Sequence, residues 1–448
     1  MMFQKGLFIL GHQTGDLHFY SRYQYLRKNQ WKKPKDLISE QEKNLHASIN
    51  FAFENVPYYT RLFHQLNLKP SDIKTIADLE KLPILNKEII KHHREEFKPA
   101  GLTTMKYQER MTGGSTGTPF LYRLSQSDRF LGGAVLYRGW GYGGYELGDR
   151  MVFLAGASLE VGTTSTMSRK IHELGRNVRM LSSFDMGDRE MREYAAGINS
   201  FQPRFIRGYA SSIYFFARWA DEHDIRIHQP ACVFTTSEKL SPHMREKISK
   251  VFQCEVLDGY GLNDGGISAN ECTEHTGFHI DTERGLLEVV DEKGTPVEAG
   301  EGKILATSLC NSAMSFIRYE TGDLGNLLPK EDVCACGRGY RLLKEIIGRS
   351  ADILIAPNGK HVHGWYVAML VAEFWKDQVK EFQIVQETRT KIVFTIVPEP
   401  HFDERIFETI RQNMLARGFG WDFELKVVDA IDKTRAGKYR WVINKSEG

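Results

Sequence analysis

The chain has 448 residues, 41% hydrophobic and 26% charged, with 40 glycines against 14 prolines. That usage excludes collagenous, low-complexity and stapled mini-protein classes and leaves room for two or three ordinary cores. Its 59 Lys and Arg against 57 Asp and Glu leave a formal charge of +2. With the basic residues scattered, no overall field points to nucleic acid or a membrane as partner.

The longest apolar stretches, such as residues 6–10 and 151–157, fall well short of the roughly 18–20 residues that cross a bilayer. The start MMFQKGLFIL lacks an export h-region and cleavage site, so a soluble, cytoplasmic protein is expected. Six cysteines in so long a chain read as reduced thiols or metal ligands rather than a disulfide framework.

In chain order, Ser39 and Glu42 form a capping-box pattern ahead of Leu45, Ile49, Ala52 and Phe53, predicting a helix that stops before Pro57. From about residue 150, short apolar runs (MVFLAGAS, FIRGYAS, VFTTSE, VLDGYG) alternate with amphipathic stretches, the pattern of a mostly parallel sheet crossed over by helices. Residues 286–290 and 303–309 flank a Gly/Glu-rich turn and predict a smaller antiparallel sheet. After Gly348 come FQIVQ, KIVFTIV, a helix over about 403–417 and FELKVV, a β-β-α-β order. In that helix Ile406, Ile410 and Met414 share one face, Asp403 suits the start and Gly418 the end. The predicted class is therefore α/β: a large body over residues 1–348 and a small α+β domain over 349–448.

The most distinctive local run is Thr112, Gly113, Gly114, Ser115, Thr116, Gly117 and Thr118, followed by Pro119. Glycines let backbone N–H groups converge and the hydroxyls add donors, a combination suited to polyphosphate. It lacks the Lys of a P-loop, and an ordinary surface loop is the competing reading. Downstream stand Tyr260-Gly261-Leu262-Asn263-Asp264, Tyr319-Glu320-Thr321-Gly322-Asp323, Gly348-Arg349-Ser350-Ala351-Asp352 and Lys433-Thr434-Arg435-Ala436-Gly437-Lys438. Taken singly, YGLND and ETGD are also good solvated turns.

In this order the five segments resemble the motifs of the adenylate-forming superfamily of acyl-CoA synthetases and nonribosomal adenylation domains. NVPYYTRLF, LEKLPILNK and CACGRGYR are most similar to its phenylacetate-CoA ligase branch, which includes members associated with capsule polysaccharide synthesis. The resemblance covers about residues 45–448. It implies a nucleotide site built from Thr112 to Thr118, Tyr260, Gly261, Asp323 on ribose, Arg349 and Lys438, with Asp264 near Mg²⁺ and the C-terminal domain a mobile lid. Lys438, Asp264 and Thr116 are the implied catalytic residues. Asp264 stands where the family has Glu, and Ala351 aligns with its acidic hinge residue.

The implied activity is ATP-dependent formation of an acyl-adenylate from a carboxylic acid, aryl or arylacetic by resemblance, followed by transfer to a thiol, coenzyme A. Transfer to an amine or hydroxyl, such as an amino sugar, is the first alternative; a catalytically silent, zinc-clipped binding scaffold is the second. Oligomeric state is left open, a homodimer included.

Cys272 with His275 (C-x-x-H) and Cys334 with Cys336 (C-x-C) lie about 60 residues apart and together offer the four N/S ligands of structural zinc. His279 competes with His275 for the fourth place, and core thiols are the bland alternative. Gly139, Gly141 and Gly144 match G-x-G-x-x-G, but a helical run precedes them and a strand follows, the reverse of the dinucleotide fingerprint. With Trp140, Tyr142 and Tyr145 they are expected to shape a helix-end loop along an acyl pocket. Cys232, Cys254 and Cys310 read as inert core, and His361 and His363 as strand residues.

Overall fold

The computed structural model describes residues 2–112, 120–156, 166–183, 186–349, 353–358, 361–364, 367–368, 374–375, 378–432 and 439–446. They form two compact units, one of residues 1–321 and 325–346, the other of 322–324 and 347–448. Among the described residues no helix is long and apolar enough to cross a membrane.

The first unit opens with helices α1 (Met2–Gln13), α2 (Phe19–Asn29), α3 (Pro34–Asn55), α4 (Pro57–Gln65) and α5 (Lys87–His92). Helix α3 begins five residues before the predicted capping box. Pro34 occupies its first turn, where a fixed φ and a missing N–H cost nothing, and Ser39 is interior. It ends at Asn55 with Leu45, Ile49 and Ala52 buried, as the spacing predicts.

A hairpin of β1 (Tyr107–Thr112) and β2 (Phe120–Ser125) leads into α6 (Gln126–Trp140), capped by Ser125, whose hydroxyl accepts from the Asp128 N–H. The remaining strands are β3 (Met151–Ala155), β4 (Val178–Ser182), β5 (Phe205–Tyr209), β6 (Cys232–Thr236), β7 (Glu255–Gly261), β8 (Ser268–Glu271), β9 (Phe278–Ile280), β10 (Gly285–Val290), β11 (Gly300–Ser308), β12 (Tyr319–Leu327) and β13 (Leu342–Arg349). All belong to one 11-stranded sheet, ordered β10-β11-β12-β13-β9-β8-β7-β6-β5-β3-β4.

Strands β3 to β7 pair in parallel, with α7 (Thr166–Arg176), α8 (Asp188–Phe201), α9 (Ala210–Glu222) and α10 (Pro242–Phe252) in the crossovers. From β7 to β8 the pairing turns antiparallel, because residues 262–267 are too few for a crossover and long enough for a return. The parallel and antiparallel sets read from the sequence are thus two halves of one sheet. Every position of β5 is buried, as expected for a strand covered on both faces, although Arg207 is its middle residue.

The second unit contains β14 (Ile353–Ile355) paired with β15 (His361–His363), and a sheet of β16 (Val379–Thr388), β17 (Lys391–Pro398), β18 (Asp422–Val427) and β19 (Val442–Asn444). Its helix α11 (Arg405–Ala416) buries Ile410 and Met414, with Ile406 packed alongside, against a core that includes Ile384, Phe394 and Trp375. Gly418 ends it at φ +76°, where a glycine meets no Cβ penalty.

Candidate functional site

Strand β7 delivers Tyr260 and Gly261 to its carboxyl end, and the tight turn after it carries Asn263 and Asp264. The turn needs glycine twice: a Cβ on Gly265 would lie 2.6 Å from that of Ala306, and Gly266 adopts φ +71°. Asp264 is buried, and the Tyr319 hydroxyl donates to its Oδ2 at 3.0 Å. Its Oδ1 accepts from no described residue. Side chains alternate along β12, so Tyr319, Thr321 and Asp323 share its buried face. Arg284 braces the turn, donating to Asn263 Oδ1 at 3.0 Å while gripping Asp128 on α6 through two bonds of 3.0 and 2.9 Å.

A cavity of about 140 Å³ opens between the turn of α6 at Gly139 and Trp140, strands β5 to β7 and the residues Tyr260–Asn263. Gly139 admits Asn270, whose amide would lie 2.5 Å from a Cβ there. Burial, then the charge of Glu271, pushes the Asp258 carboxyl up to about 7, while Thr235 donates to it at 2.6 Å. Arg245 holds Glu271 with bonds of 2.9 and 2.8 Å. Of the three helix-end glycines, Gly139 borders this cavity, together with Trp140, and helix does precede strand. Tyr142 and Tyr145 do not line this cavity: Tyr145 packs in the core with Trp140 and Phe205, and Tyr142 stands edge-on to His279.

The cysteine pairs converge, but with His279 rather than His275. Ligand atoms of Cys272, His279, Cys334 and Cys336 all lie within 4.8 Å of one another. Cys272 Sγ is 3.6 Å from Cys334 Sγ and 3.3 Å from His279 Nε2, which is 3.4 Å from Cys336 Sγ. These approach the edges of a tetrahedron with Zn–S near 2.3 Å, about 3.8 Å between sulfurs. His275 is swung outward at φ +49° by the turn after Cys272 and pairs with Glu255 at 2.8 Å. Strand β9, paired with β8, returns His279 to the thiols. Burial, aided by Arg338 and Arg138, lowers the His279 pKa to about 4, leaving the neutral ring a metal requires. The donor set fits zinc.

The other expected site residues divide. Thr112 closes β1 opposite Phe120, and Arg349 closes β13. Gly113, Gly114, Ser115, Thr116, Gly117, Thr118 and Lys438 lie outside the described residues. Sequence reasoning missed Arg207, Asp258, Asn270 and the Asp128–Arg284 pair. An arginine inside the all-apolar run of β5 was the available signal.

A family model described as the CapK C-terminal domain matches residues 354–445. Protein CapK of Staphylococcus aureus is 24% identical over 441 residues, spanning 95% of this chain and 93% of its own length. Phenylacetate-coenzyme A ligase of Thermus thermophilus is 26% identical over 398 residues, 81% of this chain and 82% of that enzyme. Among solved structures, 2-hydroxyisobutyryl-CoA ligase in its postadenylation state matches with a TM-score of 0.75 at 18% identity, over 94% of this chain and 92% of the other, a likeness of fold.

Proposed function

The chain belongs to the adenylate-forming superfamily, in its phenylacetate-CoA ligase-like branch, and on that premise we propose that it is an ATP-dependent, AMP-forming acid ligase that passes its acyl group to coenzyme A. In the first step a carboxylate oxygen attacks the α-phosphorus of ATP, the bond from that phosphorus to the bridging oxygen breaks, and pyrophosphate leaves. In the second, the thiol sulfur attacks the acyl carbon, its proton passes to solvent, and the carbon–oxygen bond to AMP breaks.

The observation that carries this reading is Asp264: a buried carboxylate, pinned through one oxygen by Tyr319, directly after the Tyr260–Asn263 wall of the cavity. Its free oxygen suits Mg²⁺, which when bound would neutralise phosphate charge. In this reading Tyr260 would meet the adenine, and Asp323, on the face of β12 that carries Tyr319, would accept from the ribose hydroxyls. Residues 112–118 and Arg349 would bind the nucleotide and Lys438 the reacting oxygens, with residues 349–448 acting as a lid.

The test is acid-dependent pyrophosphate release, followed by AMP release with coenzyme A set against amines as acceptor. Faster release with coenzyme A is expected; release with an amine alone would move the acceptor to nitrogen.

Zinc has a structural role in this reading, clipping the β8–β9 turn to the segment before β13 through Cys272, His279, Cys334 and Cys336. Cys336→Ser is expected to reduce zinc from one ion per chain to a small fraction, and chelation to lower the unfolding midpoint of the wild type but not of the variant. His275→Ala should retain the metal. Metal analysis of the three proteins checks this.

A further inference from the structure

Arg207 stands apart from the other buried arginines. Arg138 pairs with Asp281 and Glu283, Arg284 with Asp128, and Arg318 with Glu288, while Arg123 donates to the Phe97 carbonyl at 3.2 Å. Arg207, 8% exposed, forms neither an ion pair nor a hydrogen bond with any described residue. Its guanidinium is stacked 4.6 Å from the Trp140 ring centroid and 6.0 Å from that of Phe153, and it faces the cavity beside Thr235, Asp258 and Asn270. Burial lowers its pKa only to about 10, so it is charged at neutral pH. A buried cation without a counter-ion is strongly disfavoured unless something completes it.

We propose that the acid activated here carries a second anionic group, at the end away from the reacting carboxylate, and that Arg207 recognises it. The proposal rests on the acid-ligase reading and specifies its substrate class. Depth in the sheet assigns the role. Arg207 is in register with Phe234, and Phe234 with Leu257, so Tyr260 lies three residues further along β7. That is about 10 Å closer to the carboxyl ends of the strands, where the nucleotide would bind. Arg207 therefore meets the far end of the acid. A plain arylacetate would leave the guanidinium buried and without a partner among the described residues. A carboxylate, sulfonate or phosphonate would pair with it, and a site built around such a bond rejects analogues lacking it.

The experiment is ATP–pyrophosphate exchange by the full chain on matched acids that differ only in the distal group: butyrate against succinate, valerate against glutarate, propionate against 3-sulfopropionate, and phenylacetate against 4-carboxyphenylacetate. In the best pair, kcat/KM is expected to favour the doubly charged acid about 10- to 100-fold. Arg207→Met should bring that ratio toward one, and Arg207→Lys should keep part of it. Preference for the uncharged member of every pair by the wild type overturns the proposal without recourse to a variant and leaves the ligase reading intact. So does a ratio unchanged in a folded Arg207→Met protein. No exchange with any acid overturns both readings.

Discussion

Replacing Lys438 by alanine is expected to lower acid-dependent ATP–pyrophosphate exchange by about two to three powers of ten, the loss seen when one preorganised electrostatic donor is removed. Charge builds on the carboxylate and α-phosphate oxygens as the new bond forms, and an ammonium on a flexible stem can follow it there. Formation of the thioester from a preformed acyl-adenylate needs no such stabilisation and should be largely spared. Lys438→Arg should recover little, because a planar guanidinium does not replace a compact point charge. Exchange and single-turnover consumption of a synthetic acyl-adenylate, measured side by side, separate the two steps. Equal loss in both would mean that Lys438 does not act on the adenylation step alone, and would remove the reason for placing that cation on a lid.

The largest effect on stability is expected at Arg138. This fully buried guanidinium bonds Asp281 and the Tyr340 hydroxyl, reaches Glu283 Oε1 at 3.3 Å and packs 4.8 Å from the Tyr340 ring centroid. It ties α6 to the Asp281–Glu283 segment, where Asn29 and Tyr340 also donate to Glu283, at 2.8 and 2.6 Å. Arg138→Met strands two buried carboxylates and should cost about 3–5 kcal/mol. The loss should depend on pH. Burial works to raise the Glu283 pKa, but Arg138, with Asn29 and Tyr340, overrides it and holds it below the ordinary value. A carboxylate with a depressed pKa contributes stability above its unfolded value of about 4.3 and loses it as pH falls. Asp281, already pushed to about 6 by burial, would rise further without its cation. The gap between wild type and variant should therefore be wide at pH 8 and narrower at pH 5. Urea unfolding at both values checks it, and a gap independent of pH would mean that the carboxylates are not what the substitution exposes.

Much of the architecture was legible because it follows from periodicity. The alternation of apolar runs and amphipathic stretches after residue 150 encodes strands and crossover helices, and Ile406, Ile410 and Met414 mark the core face of α11 in the β-β-α-β unit. The start of α3 was misread because Ser39 and Glu42 imitate a cap, while Pro34 and Asp36 upstream already begin the helix. The joining of both strand sets into one sheet was not legible, since strand order depends on pairings between distant segments.

The site divides in the same way. Tyr260, Asp264 and Asp323 could be picked out because their motifs are local. The choice between His275 and His279 could not be made from spacing, because it depends on a left-handed turn at His275 and on the pairing of β9 with β8. Arg207 was hidden for a related reason. One charge in an apolar run looks incidental until the three-dimensional arrangement leaves it without a carboxylate partner among the described residues.

The most direct test of the central claim is ATP–pyrophosphate exchange by the full chain, with Mg²⁺, across a panel of carboxylic acids. Exchange that requires both the acid and the metal, and that Asp264→Ala abolishes, is the predicted result. A folded, zinc-loaded protein that catalyses no acid-dependent exchange with any member of the panel would contradict it.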